Sequence, residues 1–332
     1  MVSPSSLCVH TDMATPRNAG VDRILIKLQA SVDSGNYYEA HQMYRTLYYR
    51  YSSRKKYAEL LELLYGGATS LLQNQQYESG ADLSNLVVDV LTKSNTAVNN
   101  ETVDKLGLLF KNLNPESEER MVFLAAALKW AGSDKSAEKT GLERLHRLVA
   151  QSLWNEKSFG RAHYHYLRST DGEGFASMLI EYNTTRGNAM EEDLFIAQAV
   201  FQFLCLKNKS TASVVFYKYT QGHPSLVKGP PYLQPLLNFL WFLLLSIDSG
   251  QLAVFTIICE KYETTLKRDP TYSQYLDRIG QLFFGVPPRK QNKSKGMIGN
   301  IINSLFQDLD ESSGDEIFAS SSNTQLHTED LD

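Results

Sequence analysis

The sequence predicts an all-α fold, a right-handed α-solenoid built from stacked helical hairpins. Three observations carry this expectation. Proline, the strongest helix breaker, is absent from Arg17 to Asn114 and again from Glu116 to His223. Apolar residues recur at helical spacing, while Val, Ile and Thr runs with period-two alternation are scarce. The junctions between the apolar stripes repeat at an interval near 40 residues, which marks repeating helical units.

Taken in order, Val21, Ile24, Leu25 and Leu28 form an i, i+3, i+4, i+7 stripe for a first helix. Leu60, Leu61, Leu64, Ala68, Leu71 and Leu72 form another, as do Leu83, Leu86, Val87, Val90 and Leu91. A dozen or more helices of ordinary length are expected. Gly35-Asn36-Tyr37-Tyr38-Glu39-Ala40 sets the junction pattern: a helix-ending Gly, an aromatic, and a small residue three positions later. Gln76-Tyr77-Glu78-Ser79-Gly80 and Ser158-Phe159-Gly160-Arg161-Ala162 repeat it. Tyr37 and Tyr77 are 40 residues apart, and Phe159 follows Tyr77 by 82, about two periods. The slot between holds Asn114-Pro115-Glu116, read as a helix start with Asn at the N-cap and Pro at N1. Ser249-Gly250-Gln251-Leu252 is a junction that has drifted out of phase. In TPR-like hairpins the small residue lets two helices approach and the aromatic fills the gap beside it.

Two regions depart from the pattern. From His223 to Pro235 lie four prolines (Pro224, Pro230, Pro231, Pro235) and Gly229. This is a long connection in which Val227-Lys228-Gly229 is placed to turn a short β-hairpin, and long loops tend to be interaction elements. The apolar run Leu236–Ile247 that follows is twelve residues long, too short to span a bilayer and suited to a buried helix. Gly285–Gly296 reads as a linker. Beyond it Met297, Ile298, Ile301, Ile302, Leu305 and Phe306 form one more amphipathic stripe, which must dock on the body or on a partner because so short a helix does not hold alone.

The 332 residues allow one large domain or two ordinary ones, with a core that needs no staple. Cys8, Cys205 and Cys259 are far apart and none belongs to a CxxC, which excludes a disulfide framework and a cysteine-rich zinc site. The net charge of −4 is unevenly spread. Eight acids and no Lys or Arg lie between Asp308 and Asp332, so the preceding chain carries +4. That tail is Ser-rich and expected to be disordered. The first twenty residues lack the basic and apolar regions of a signal peptide. The four N-x-S/T sequons then read as chance matches, and the protein is expected in the cytosol with reduced thiols.

The motifs of chemistry are missing. No GxxxxGK[ST], GxGxxG, HExxH or GxSxG occurs. His163 and His165 sit two apart and face different sides of a helix, so they do not chelate one metal. Single histidines such as His41 and His146 read as packed or capping. Asp171-Gly172-Glu173-Gly174 lacks the ligand spacing of a calcium loop. Glu118-Glu119 and Glu191-Glu192-Asp193 read as first-turn acids that complement the helix dipole, and Gly66-Gly67 as a site of close helix packing. No catalytic, cofactor or metal site is expected.

What remains is surface. Between Arg17 and Lys56 there are eight bases, three acids and six tyrosines (Tyr37, Tyr38, Tyr44, Tyr48, Tyr49, Tyr51). Such a hairpin suits nucleic acid or an acidic protein face. The body's modest +4 argues against nucleic acid and for electrostatic steering of an acidic protein partner.

The run from Gly35-Asn36-Tyr37-Tyr38-Glu39-Ala40-His41-Gln42 through Tyr51 closely resembles the Golgi-to-ER traffic protein 4 family, the α-solenoid subunit of the pathway for guided entry of tail-anchored proteins. Lys56-Tyr57, Gly67-Ala68, Ser70-Leu71-Leu72 and Gly80-Ala81-Asp82-Leu83 continue the match. Gly280-Gln281-Leu282-Phe283-Phe284 and the Met297–Phe306 stripe resemble the family's closing segments. The resemblance implies a non-enzymatic adaptor in post-translational delivery of tail-anchored membrane proteins to the ER. Its N-terminal half, here 18–155, would dock on the cytosolic targeting ATPase. Its C-terminal half, here 156–286, would hold a ubiquitin-like partner or a large BAG-type ubiquitin-like scaffold. Segments 1–17 and 308–332 would be disordered ends, with 287–307 a linker and closing segment. Handling of mislocalised proteins and cytosolic retention of the scaffold are implied as well. The long Pro-rich loop and the acidic tail favour the BAG-type scaffold. Arg45 and Asp82 match family positions at the ATPase-facing surface, and Arg23 matches a basic position in the first helix. For the scaffold, only a region is implied: the loop 223–235, the helix from Leu236 and the closing segment. Tyr232, Trp241 and Phe242 are its candidate anchors. The alternatives are a generic helical-repeat subunit of another cytosolic complex and an RNA-binding helical-repeat protein. The first would bring a winged-helix end whose strands are not evident.

Overall fold

Helical hairpins build the molecule through one recurring device. The computed structural model describes residues 19–133, 140–188 and 190–287. Among these are fifteen α-helices and no strand. The chain divides into two compact units, Met1–Val149 and Ala150–Asp332.

In the first unit, α1 (Ala19–Asp33), α2 (Tyr37–Ser53), α3 (Tyr57–Gln73) and α4 (Tyr77–Lys93) follow one another through near-identical links. Each link has one residue in the left-handed region: Gly35 (φ 74°), Lys55 (56°), Gln75 (61°) and, after α4, Asn95 (49°). The next amide turns back to the carbonyl five residues earlier. Asn36 N donates to Ser31 O at 2.8 Å, Lys56 N to Tyr51 O at 3.1 Å and Gln76 N to Leu71 O at 2.9 Å. This is the Schellman arrangement, which satisfies the orphan carbonyls of a helix end and reverses the chain within three residues. It recurs every 20 residues, so the period near 40 consists of two equal half-steps. Lys157 (61°) and Lys207 (59°) repeat it in the second unit.

Close packing follows. Ala40 and Gly80 are buried three residues into their helices. A methyl group on Gly80 would stand 2.6 Å from the Leu72 side chain, and one on Gly67 would stand 2.5 Å from the Tyr44 ring. Gly66 faces open space, so only the second glycine of the pair serves close packing. The aromatic at each junction does not always fill a gap: Phe159 is buried, whereas Tyr77 is exposed. The rest of the unit is α5 (Asn100–Asn112), α6 (Glu118–Gly132) and the part of α7 (Thr140–Asn155) up to Val149. The helix start expected at Asn114-Pro115 lies three residues later. Ser117 caps α6 by accepting from Arg120 N, and Asn114 Oδ1 instead accepts from Glu116 N at 3.1 Å to close a turn.

The second unit contains α8 (Phe159–Leu167), α9 (Gly172–Arg186), α10 (Glu192–Cys205), α11 (Lys209–Gly222), α12 (Pro235–Ser249), α13 (Leu252–Lys261), α14 (Glu263–Leu266) and α15 (Tyr272–Phe283). Helix α10 is apolar all round and sits centrally, against α8, α9, α11, α12 and α15. Its Phe201 ring lies 5.0 Å from Tyr272 and 5.9 Å from Tyr275. The apolar run after the proline-rich loop forms α12, with Pro235 in its first turn and Leu236, Leu237, Phe239, Leu240, Leu243 and Leu244 buried. Among the described residues no helix is long and apolar enough to cross a membrane. Asp171 caps α9 through Gly174 N.

The loop before α12 does not form the expected β-hairpin. Gly229 makes the turn (φ 83°), but Pro230 and Pro231 bring no N–H to a ladder. Asn238 captures the backbone of Tyr232 on both sides: Tyr232 N donates to its Oδ1 at 2.8 Å, and its Nδ2 donates to Tyr232 O at 2.7 Å. The loop is thus fastened to the start of α12. The expectations for residues 1–17, for the linker beyond Pro287, for the Met297–Phe306 stripe and for the tail 308–332 lie outside the described residues.

Polar contacts between helices follow the repeat. His41 meets Asp82, Tyr48 meets Asp89, and Arg144 meets Asp104. In the second unit His163 meets Gln202, Lys209 meets Asp248, and His223 meets Asn183. Each pair is 39 to 41 residues apart, one repeat, so equivalent positions of successive hairpins stack.

Two expectations follow. Gly35→Ala places a Cβ on a left-handed backbone and costs about 1 kcal/mol, and Lys55→Gly relieves a comparable strain; urea unfolding of the two variants should move in opposite directions. His165 is buried, and desolvation pushes its pKa down to about 3. The folded state keeps it neutral while the unfolded chain titrates near 6.5, so stability is present above that value and is lost as pH falls from 6.5 towards 3. Between pH 7.5 and 5.5 the loss from this residue is about 1 kcal/mol. His165→Asn should be less acid-sensitive by that amount in urea titrations at the two pH values.

Candidate functional site

In the first unit the exposed side of α2 carries Tyr38, Gln42, Arg45 and Tyr49, spaced so that they share one face. Tyr38 is 76% exposed and Tyr49 62%, unusual for tyrosines in a packed repeat. Asp82 on α4 reaches this face. His41 Nε2 lies 2.7 Å from Asp82 Oδ2, and Arg45 Nη1 donates to Oδ1 at 3.3 Å and to Oδ2 at 3.5 Å. The Arg45 and Asp82 side chains keep 43% and 32% of their exposure. An ion pair this wet contributes little to stability. Arg45 uses only Nη1, so Nε and Nη2 have no partner among the described residues. A guanidinium so presented suits a second carboxylate.

One helical turn on, Tyr48 Oη donates to Asp89 Oδ2 at 2.5 Å, and Lys93 Nζ lies 2.8 Å from both groups. Burial and the hydrogen bond to Asp89 raise the Tyr48 pKa, and hydrogen bonds to Asp89 and Tyr48 raise that of Lys93. Both shifts lead away from neutrality, so neither group changes charge near neutral pH. Arg23 is exposed on α1, and among the described residues no hydrogen bond or ion pair joins it to Arg45 or Asp82. Sequence reading named Arg45 and Asp82 separately; the fold brings them together and adds His41, which it had set aside as a packing residue. The signal was the separation of 41 between His41 and Asp82, one repeat.

In the second unit the three candidate anchors have different surroundings. Tyr232 is buried, its ring edge-on to Phe216 at 5.7 Å and its hydroxyl donating to Thr220 Oγ1 at 3.4 Å. It holds the loop and offers no open face. Trp241 is half-buried, and Phe242 is exposed beside it with ring centroids 4.7 Å apart. Leu233 in the loop and Leu245 on α12 are exposed apolar residues that sequence reading missed, because α12 is apolar on every side and periodicity does not separate its faces.

Burial holds the thiols and one histidine away from titration near neutral pH. Burial pushes the Cys205 thiol up to about 12 and the Cys259 thiol up to about 11, so neither is a thiolate near neutral pH. Burial lowers the His163 pKa, and its Nε2 is engaged by Gln202 at 2.7 Å. No group of His, Cys, Asp or Glu among the described residues is placed to hold a metal ion. Asp193, read from the sequence as a first-turn acid, is only 2% exposed and forms a two-pronged ion pair with Arg268.

These features define an all-α helical-repeat protein. The family described as Golgi to ER traffic protein 4 is matched over residues 54–306. The Golgi to ER traffic protein 4 homolog of Oryzias latipes is 54% identical over 297 residues, covering 90% of this chain and 91% of that protein. The Homo sapiens homolog is 52% identical over 297 residues, covering 90% of each. The crystal structure of C. therm. Get4 superposes with a TM-score of 0.74 at 24% identity, covering 93% of this chain and all of that one, and shares the α-solenoid fold. The chain belongs to the Golgi to ER traffic protein 4 family.

The two ion pairs should respond differently to truncation. Arg268→Ala strands a buried carboxylate and costs about 3–5 kcal/mol, whereas Arg45→Ala costs under about 1 kcal/mol. Thermal unfolding followed by circular dichroism separates the two.

Proposed function

We propose that this protein is a non-enzymatic adaptor in the delivery of tail-anchored membrane proteins to the ER. Its N-terminal half, residues 18–155, docks on the cytosolic targeting ATPase. Its C-terminal half, residues 156–286, holds a BAG-type ubiquitin-like scaffold, in a complex that also includes a ubiquitin-like partner. The adaptor brings a client-loaded co-chaperone to the ATPase in the cytosol. The same complex handles mislocalised hydrophobic proteins and keeps the scaffold cytosolic by covering its nuclear-localisation segment.

The observation that carries this reading is the Tyr38–Arg45–Tyr49 face with Asp82 beneath it. Exposed tyrosines flanking a half-exposed arginine are the composition of an interface hot spot. Asp82 and His41 fix the arginine's position, and its remaining donors face outward for carboxylates of the ATPase. Arg23 adds positive potential that steers an acidic surface towards this face. On the scaffold side Phe242 and Trp241 are the anchors, and Tyr232 positions the loop beside them. Membership of the family supports the pathway, since its members are named for Golgi to ER traffic.

Arg45→Glu should abolish capture of the ATPase in a pull-down while retaining the scaffold and the helical circular-dichroism spectrum. Capture equal to that of the unmodified chain would remove this face from the ATPase interface.

A further inference from the structure

Helix α13 is out of balance with its surroundings. In its sequence LAVFTIICEK only Thr256, Glu260 and Lys261 are polar, yet Phe255 is its only buried residue. Leu252 and Ala253 are exposed, and Ile257 is 54% exposed. Leu245 of the adjoining α12 is exposed as well. A helix that is apolar all round is normally buried, as α10 is here, and a contiguous exposed apolar face marks a surface that something covers.

The last described residues lead to this face. Phe284 stacks on Phe255 of α13, with ring centroids 4.5 Å apart and planes 16° apart. Gly285 adopts φ 68°, and Val286 N donates back to Gly280 O at 3.1 Å. The bond spans six residues, one more than at the hairpin links, and with the left-handed Gly285 it turns the chain back at α13. Nine residues stand between Pro287 and Met297, a tether of at most about 35 Å. At its far end stands the amphipathic stripe of Met297, Ile298, Ile301, Ile302, Leu305 and Phe306, too short to hold as an isolated helix.

We propose that residues 297–306 dock intramolecularly as an amphipathic helix on the exposed apolar face of α13, formed by Leu252, Ala253 and Ile257. Tethering gives the segment an effective concentration that no free partner needs to match. The docking involves no partner chain and stands apart from the adaptor reading.

Hydrogen–deuterium exchange on the full-length monomer tests it, with peptides of α10 as the control for folding. Amides of 297–306 should exchange at least about ten-fold more slowly than in an unstructured chain. Ile301→Asp with Leu305→Asp should speed exchange in both 297–306 and 252–261, and Ile257→Asp should release 297–306, each with α10 unchanged. Unprotected amides at 297–306 in the free protein would overturn the proposal, as would protection indifferent to Ile257→Asp. Protection that grows with protein concentration would assign the face to a second copy and overturn it equally.

Discussion

The left-handed link between helices is the constraint on which the rest of this structure depends. At Gly35, Lys55, Gln75, Asn95, Lys157 and Lys207 one residue reverses the chain at the helix end. In five of the six it does so without glycine, at a local cost of about 1–2 kcal/mol each. The compensation is satisfied carbonyls and a fixed stagger of successive helices. With the stagger fixed, position i of one hairpin stacks on position i+40 of the next. The close approaches at Gly67 and Gly80, and the pairing of α2 side chains with those of α4, then follow.

The stagger also separates two uses of charge. Asp193 and Arg268 are not repeat partners; they join α10 to the segment before α15, and burial makes each depend on the other. Arg45 and Asp82 stay wet and contribute little to folding, which leaves their geometry free to serve recognition. Tyr38 and Tyr49 reinforce this division. A tyrosine this exposed in its own fold retains most of its apolar area for a partner, and its two torsions lose little entropy on docking.

Much of this was legible beforehand. Missing prolines, helical stripes and the recurrence of Tyr37 at Tyr77 indicate an all-α repeat, and the junction motifs place the helices to within a few residues. The half-step of 20 was hidden because Tyr57 is followed three positions on by Leu60, where the other junctions have a small residue. Asn114-Pro115 misled because Asx turns and N-caps draw on the same residues, and only the chain's path tells them apart. The β-hairpin failed for a reason the composition already held, two adjacent prolines without donors. The candidate site was partly visible: family resemblance marked Arg45 and Asp82, but nothing local shows that they touch. Burial of Tyr232 against exposure of Phe242 depends on which side of α12 meets α10 and on the loop's packing against Phe216 of α11, both tertiary facts.

The strict register bears on how such a chain can vary in length. Losing one residue inside a helix turns everything beyond it by about 100°. His41 would then miss Asp82, and Tyr48 would miss Asp89. Insertions and deletions are therefore tolerable only where the reversing link is missing, as between Thr96 and Asn99, and between His223 and Gln234, where the chain leaves the repeat. The spacing from Gly35 to Asn95 is thus fixed by the packing it serves, and the connecting loops, not the helices, are where a change of length leaves the stacked pairs in register.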